Sequence, residues 1–316
     1  MVTRILRRGL IFVVSLAVAS VVVFVFMAVL PGDPAQVALG TNATPEAVRQ
    51  MRSEYGTDRP LLVQYAEWVG GLVQGDFGRS YVTGAEIGPQ ILDRFQVTLW
   101  LCVTAMGVAL AIALPLGAFA AARHRTLGGT VLSGLSQVGV AIPNFLLGIL
   151  LIMLFAVHLG WFPSGGWTPP AEDPVAFARK LVLPAVSLGL VQGAILTRYV
   201  RSAVVDVLRE DYVRTARAKG LRPYQALVRH GLRNAAIPVV TVLALQLATL
   251  LIGAVVIERV FVIPGLGSLL LDGVGDRDLL LVQGVVMVLA LAVLLINFLV
   301  DLLYTVVDPR VRTAAP

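Results

Sequence analysis

The chain has 316 residues, 57% hydrophobic and only 14% charged, with a mean hydropathy of +0.84. Soluble domains carry about 25% charged residues, so this composition excludes a soluble globular fold and points to a polytopic membrane protein. The net charge of +6 raises nucleic acid as a partner, but the basic residues are sorted by membrane side, as shown below, which rules that partner out.

Arg4, Arg7 and Arg8 precede an apolar run from Gly9 to Leu30. About 22 residues suffice to cross a bilayer core of about 30 Å and exceed the apolar core of a signal peptide. No small-x-small cleavage site follows, so a retained first helix is expected, with its N-terminus inside. Residues 31 to about 95 form the one long polar stretch. Thr44-Pro45-Glu46 predicts a helix start, with Thr44 as cap and Pro45 at the first position. That helix should end near Tyr55, before Gly56. Pro60 opens another, with Leu61, Tyr65, Trp68, Val69 and Leu72 along one side, broken by Gly75-Asp-Phe-Gly78. Residues 31–95 therefore predict a small extracytoplasmic helical subdomain.

Five further apolar runs follow, at about 97–122, 131–157, 181–200, 237–257 and 279–306. The first carries Ala109, Ala113, Gly117 and Ala121 at every fourth position, a small-residue face for close helix contact. The second contains Pro143-Asn144, where a kink is expected. The third contains Gly189-x-x-x-Gly193. Six spans put both termini on one side. The segments placed inside hold sixteen of the 25 basic residues and five acidic ones; those placed outside hold nine basic and fourteen acidic. Lys/Arg bias toward the cytoplasm orients the chain with both termini inside. Residues 158–180, with Trp161 and Trp167, and residues 258–278 are expected as outer loops.

Between the fourth and fifth spans lies a polar interval crowded with Arg209, Arg214, Arg217, Lys219, Arg222, Arg229 and Arg233. It predicts two short helices with a sharp corner. Gly220 suits the left-handed residue past a helix end, and Pro223 the first position of the next helix. In the second helix Tyr224, Leu227, Val228 and Leu232 share a face.

At these residues the chain resembles the EAA loop of bacterial binding-protein-dependent ABC importers, in the form used by dipeptide, oligopeptide and nickel permeases. Thr215-Ala216 stands where that motif has its alanine pair and Gly220 where it has its glycine. Asp211 lies just upstream and does not match the motif's Glu. Leu232-Arg233-Asn234 replaces the Leu-Pro ending of many ABC permeases, a departure typical of the peptide branch. The resemblance extends over Pro31-Gly-Asp-Pro34, Ala43-Thr-Pro-Glu46, Asp58-Arg-Pro-Leu61, Gln64-Tyr65, Trp68, Gly75-Asp-Phe-Gly78, Glu258-Arg-Val-Phe-Val-Ile-Pro-Gly-Leu-Gly267, Arg277-Asp278 and Gln283-Gly284. It thus runs from about residue 5 to 310.

The resemblance implies an all-α permease of six transmembrane helices, one membrane domain over 1–316 with a cytoplasmic helix–Gly–helix coupling loop at 206–235. It implies a bacterial cytoplasmic (inner) membrane location. Its expected partners are a homologous second permease, two ATPase domains that carry ATP and Mg, and an extracytoplasmic substrate-binding protein, all assembled in the lipid bilayer. No cofactor is expected in this chain. The expected ATPase-coupling residues are Asp211, Thr215, Ala216, Ala218, Lys219, Gly220, Tyr224 and Arg229. Gly220 would supply the corner, Ala216 and Ala218 the close approach, and the basic residues the rim.

Catalysis has little support. HExxH, GxSxG and Walker A strings are absent. Gly273-Val-Gly-Asp276 matches the GxGD string of intramembrane aspartyl proteases, but that chemistry needs a second facing aspartate and no span offers one. Within the spans the polar residues Asn144, Gln192, Gln246 and Asn297 are candidates for a translocation path. Being uncharged, they suit passage of varied solutes. A nickel path would favour clustered His, Cys or carboxylate ligands. Here Cys102 is alone, and His124, His158 and His230 are split between the two faces. Peptides are the expected cargo, with nickel or a metal chelate the alternative. An ion-driven secondary transporter would need an ionisable relay within the spans, and none is visible. A non-transporting scaffold is the remaining class.

Overall fold

A computed structural model describes residues 2–29, 33–40, 43–123 and 126–307. Its helices are α1 (Val2–Val29), α2 (Pro34–Leu39), α3 (Pro45–Tyr55), α4 (Leu61–Gln74), α5 (Ile87–Ala122), α6 (Leu127–Ala141), α7 (Asn144–Leu151), α8 (Pro174–Leu208), α9 (Asp211–Ala218), α10 (Pro223–Ala226), α11 (Leu232–Val260), α12 (Leu266–Gly275) and α13 (Leu279–Val307). π-helical turns extend α7 over Ile152–His158 and precede α11 over Leu227–Gly231. Among the described residues, α1, α5, α8, α11 and α13 are long and apolar enough to cross a membrane.

The expected span at 131–157 differs. It is divided between α6 and α7 at Ile142–Pro143. Pro143 has no N–H to give, and its ring pushes the preceding residue into extended backbone; Ile142 has φ −83° and ψ 121°. Asn144 Oδ1 then accepts from Phe145 N at 2.9 Å as the helix restarts. Pro115, Pro184 and Pro238 lie inside continuous helices instead.

The chain divides into two compact units, with boundaries within α5, between α11 and α12, and within α13. One, central in sequence, comprises residues 98–263 with 299–307. Here α8 packs against α6, α7 and α11. It meets α5 through small residues. A Cβ on Gly189 would lie 2.7 Å from Val108 Cβ and 2.8 Å from Ala105 O, and one on Gly117 would lie 2.6 Å from Val200. Ala105, Ala109 and Ala113 are fully buried. The small-x-x-x-small spacing on both helices lets the backbones approach where a side chain would hold them apart.

The flanking unit comprises residues 2–97 and 264–298. Thr44 caps α3, accepting from Ala47 N, and Gly56 ends it at φ 68°. Gly75, at φ 80°, ends α4. Helix α4 lies on α1 through Tyr65 and Trp68, whose rings are 5.3 and 6.0 Å from that of Phe24. Ile87, Ile91, Leu266, Leu269, Leu281 and Val285 form the core of this unit. The 258–278 stretch, expected as a loop, contains the end of α11 and all of α12.

Candidate coupling and translocation sites

The polar corner is built by a short amphipathic helix. Val213 and Ala216 of α9 are buried, while Asp211, Arg214, Thr215, Arg217 and Ala218 are exposed. Thr215 Oγ1 donates to Asp211 O at 2.9 Å, and Arg214 pairs with Asp211 at 3.4 Å. Two bonds close the helix: Gly220 N to Arg217 O at 3.0 Å and Leu221 N to Ala216 O at 3.3 Å. This is the Schellman pattern, which needs a left-handed residue at its turn; Gly220 has φ 95°. Arg222 N donates to Gln225 Oε1 at 3.1 Å as the chain turns into α10.

Lys219, Gly220 and Arg229 are exposed. Ala216 is not: it is buried against the chain's own helices, so its small size serves the packing of α9 rather than an open face. Tyr224 stands in α10, and its side chain lies outside the described set. Leu227 is buried but Val228 is 45% exposed. The π turn there adds a residue per turn and rotates Val228 off the face that a regular helix would give it. The side chain of Leu232, the fourth member of that face, also lies outside the described set. Arg125, Asp308, Arg310 and Arg312, counted among the inside charges, lie outside the described residues, as do His124 and, of the outer resemblance, Pro31 and Gly32.

Within the central unit, α8 and α11 bring two of the candidate path residues together. Gln192 Nε2 donates to Thr249 Oγ1 at 3.1 Å, and Thr249 Oγ1 lies 3.1 Å from Gln246 Oε1 and 2.9 Å from Gln246 O. Gln192 Oε1 and Gln246 Nε2 are buried without a partner among the described residues. Asn144 sits beside α11 with Nδ2 2.9 Å from where a Cβ on Gly253 would be. Asn297 belongs to the flanking unit and is exposed on α13.

Two features escaped the sequence reading. Glu258, expected in an outer loop, is fully buried near the end of α11, where its Oε1 accepts from Thr98 Oγ1 at 2.6 Å. The partner is 160 residues away, so no local pattern reveals it. The second is Asp278, which accepts from Ser80 Oγ, Tyr81 N and Leu281 N and fixes the 80–81 turn to the start of α13.

Tyr81 stacks on Tyr55 at 4.3 Å. Burial, with the Asp278 carboxylate and then Tyr55, pushes its phenol from 10.0 up to about 12. Because the folded value lies above the unfolded one, this phenol contributes stability in full below pH 10, lost as pH rises through 12. Absorbance titration of wild-type and Tyr81→Phe chains is expected to show one late-ionising tyrosine missing in the variant. Equal profiles would place Tyr81 in water.

The family described as binding-protein-dependent transport system inner membrane component matches residues 113–313, and the N-terminal part of such membrane components matches residues 1–102. A Brucella abortus (strain 2308) protein provisionally named a peptide transport system permease protein is 39% identical over 312 residues, 99% of each chain. The glutathione transport system permease protein GsiC of Escherichia coli (strain K12) is 39% identical over 315 residues, again 99% of each. Among solved structures, an inward-facing MetNI methionine ABC transporter matches with a TM-score of 0.56 and 20% identity, covering 69% of this chain and 96% of that one. At that identity the likeness speaks for the fold alone.

Proposed function

The chain belongs to the family of binding-protein-dependent transport system inner membrane components, and from that premise we propose that it is the permease subunit of an ATP-driven importer of short peptides. The observation that carries the cargo is end-to-end similarity, at 39% identity, to a peptide and a glutathione permease; glutathione is itself a tripeptide. Six membrane crossings, the third made of α6 and α7 either side of Pro143, put both termini in the cytoplasm of a bacterial inner membrane. A second permease, two ATPase domains holding ATP and Mg, and a substrate-binding protein complete the assembly.

The exposed corner at Asp211, Thr215, Ala218, Lys219, Gly220 and Arg229 docks on the ATPase, with Tyr224 on the following helix. Ala216 supports it from beneath. ATP-driven closure of the ATPases moves the corner and switches the path from inward-open to outward-open. Asn144, Gln192 and Gln246 line that path. Gln192 Oε1 and Gln246 Nε2, buried and unpaired among the described residues, support this, since such groups are rarely left without a partner.

Two experiments test the proposal. In cells lacking the gene, labelled di- to tripeptide uptake is expected to be lost and restored by the intact gene. Unchanged peptide uptake alongside lost nickel accumulation, with no redundant peptide importer, favours the metal alternative and sinks this one. For topology, Cys102 is buried and is the one cysteine of the chain. With Cys102→Ser, an impermeant maleimide added to cells with a permeable outer envelope should label Ser53→Cys and spare Thr215→Cys. The opposite pattern inverts the orientation.

A further inference from the structure

One apolar face of α4 is packed and a second is exposed. At about 100° per residue, Leu62, Ala66, Val69 and Val73 fall within about 60° of one another around the helix. Leu62 and Val73 are 82% and 83% exposed, Ala66 is exposed and Val69 is half-buried. Gln64, Glu67, Gly71 and Gln74 lie on nearly the opposite side. That polar side is engaged by the preceding turn: Gln64 Nε2 donates to Arg59 O at 2.7 Å, and Glu67 pairs with the Arg59 guanidinium. Between the two sides, Tyr65 and Trp68 turn toward α1, their rings 5.3 and 6.0 Å from that of Phe24. Tyr65 O–H donates to Ser20 Oγ at 2.9 Å, since Ser20 gives its own hydrogen to Ala17 O.

These contacts set the depth of α4. Helix α1 is long and apolar enough to cross a membrane, and it ends at Val29. At about 1.5 Å per residue, Phe24 and Ser20 lie about 8 and 14 Å below that end along the axis. The rings of α4 therefore reach apolar depth. The exposed stripe continues the membrane face of α1, where Val21, Val22 and Val25 are exposed at the same level. With 14 residues, α4 is about 21 Å long, too short to cross a core of about 30 Å. Its polar side, which runs the length of the helix, needs water or headgroups. An amphipathic helix of this kind lies in the plane of the interface, with its apolar face about 5–10 Å into the boundary between headgroups and acyl chains. We propose that α4 is such a helix and that Leu62, Ala66, Val69 and Val73 are set among phospholipid acyl chains. The helix then ties the 57–81 segment to the bilayer through lipid as well as through α1. Neither the cargo nor the side of the membrane enters this inference.

The test uses the full-length chain in phosphatidylcholine nanodiscs, alone and then assembled with the second permease and the ATPases. On a Cys102→Ser background, Leu62→Cys, Ala66→Cys, Val69→Cys, Val73→Cys, Glu67→Cys and Gln74→Cys each carry a nitroxide in turn. Relaxation of the label by oxygen, which concentrates among acyl chains, is compared with relaxation by a water-soluble nickel chelate. At the first four positions oxygen is expected to act about threefold or more better than the chelate, at a depth of about 5–10 Å, and at the last two the order should reverse. A second arm leaves the sequence intact. Phosphatidylcholine with a diazirine on its acyl chain, photolysed with the wild-type chain, should label the stripe about threefold more than Gln64 or Glu67. Chelate-dominated relaxation along the stripe, or no photolabel on α4, places the face in water and overturns the proposal. Loss of the lipid photolabel and of both collisions on assembly assigns the face to a partner subunit and overturns it as well. If a cysteine variant fails to fold, the wild-type photolabel decides.

Discussion

In cells whose only copy of the chain carries Gly220→Val, ATP-driven uptake is expected to fall about tenfold or more while the protein still inserts at the wild-type level. The reason is conformational rather than steric. A Cβ on Gly220 would meet nothing within 4 Å, but the residue has φ 95°. A β-branched residue forced there costs about 1–3 kcal/mol, and about 1.4 kcal/mol shifts a population tenfold. The strain is relieved by giving up the Gly220 N–Arg217 O and Leu221 N–Ala216 O bonds that close α9. The corner then opens, and the exposed Ala218–Lys219 edge no longer projects as it does now. Since α9 and α10 are short and mostly exposed, the spans need not unfold with them. Gly220→Asn is the matched control. Asparagine tolerates left-handed backbone, so uptake within about twofold of wild type is expected. Ala218→Glu should uncouple like Gly220→Val because it adds bulk on the exposed side. Ala216→Glu should instead lower the amount of folded chain, since Ala216 is buried. Uptake is followed with labelled dipeptide, and association with the ATPase by co-purification. Wild-type values for both Gly220→Val and Ala218→Glu would remove the corner from the coupling step.

What the sequence made legible was written in local chemistry. Gly220 between a helical stretch and Pro223, Pro143 within an apolar run, and Thr44-Pro45 before a helix each act on their own backbone neighbourhood, and each carries its effect in the letters. The small residues of α5 and α8 were legible for a related reason: a fourfold repeat marks a face. Illegible were the contacts whose two halves lie far apart. Glu258 stood next to Arg259 at the edge of an apolar run, so charge alone placed it in a loop. The helix continues to Val260, and Thr98 provides the donor that lets the carboxylate be buried. Asp278 finds Ser80 from 198 residues away. The inward turn of Ala216 also escaped, although Val213 and Ala216, three residues apart on an otherwise polar α9, mark its buried side. Val228 was misplaced by the π turn, whose extra residue no propensity signals.

Gly165→Ala is expected to lower stability by about 2–4 kcal/mol, among the largest single-methyl effects available in this chain. A Cβ on Gly165 would lie 2.0 Å from Phe261 O and 2.8 Å from Phe261 C. Both are backbone atoms, so no rotamer change relieves the clash. The loop must lift away from the end of α11, breaking the Gly166 N–Phe261 O bond of 2.8 Å. Phe261, fully buried, also fills the space over Gly148. Three residues earlier, Glu258 is held by Thr98. Together these contacts clasp one end of α11, whose other end continues from the π turn beside the coupling corner. A helix of 29 residues is about 43 Å long. It transmits a push from the corner only if its far end is held. Thermal unfolding of the purified chain should show Gly165→Ala about 5 °C or more below wild type. Gly134→Ala, where a Cβ meets nothing within 4 Å, should be neutral or slightly stabilising. Glu258→Leu should also destabilise, while Glu258→Gln keeps an acceptor for Thr98 and should cost less. If the clasp acts as one unit, the Gly165→Ala, Glu258→Leu double variant loses less than the sum of its parts. An unchanged midpoint for Gly165→Ala, or strict additivity of the pair, would show that the end of α11 is not clasped in this way.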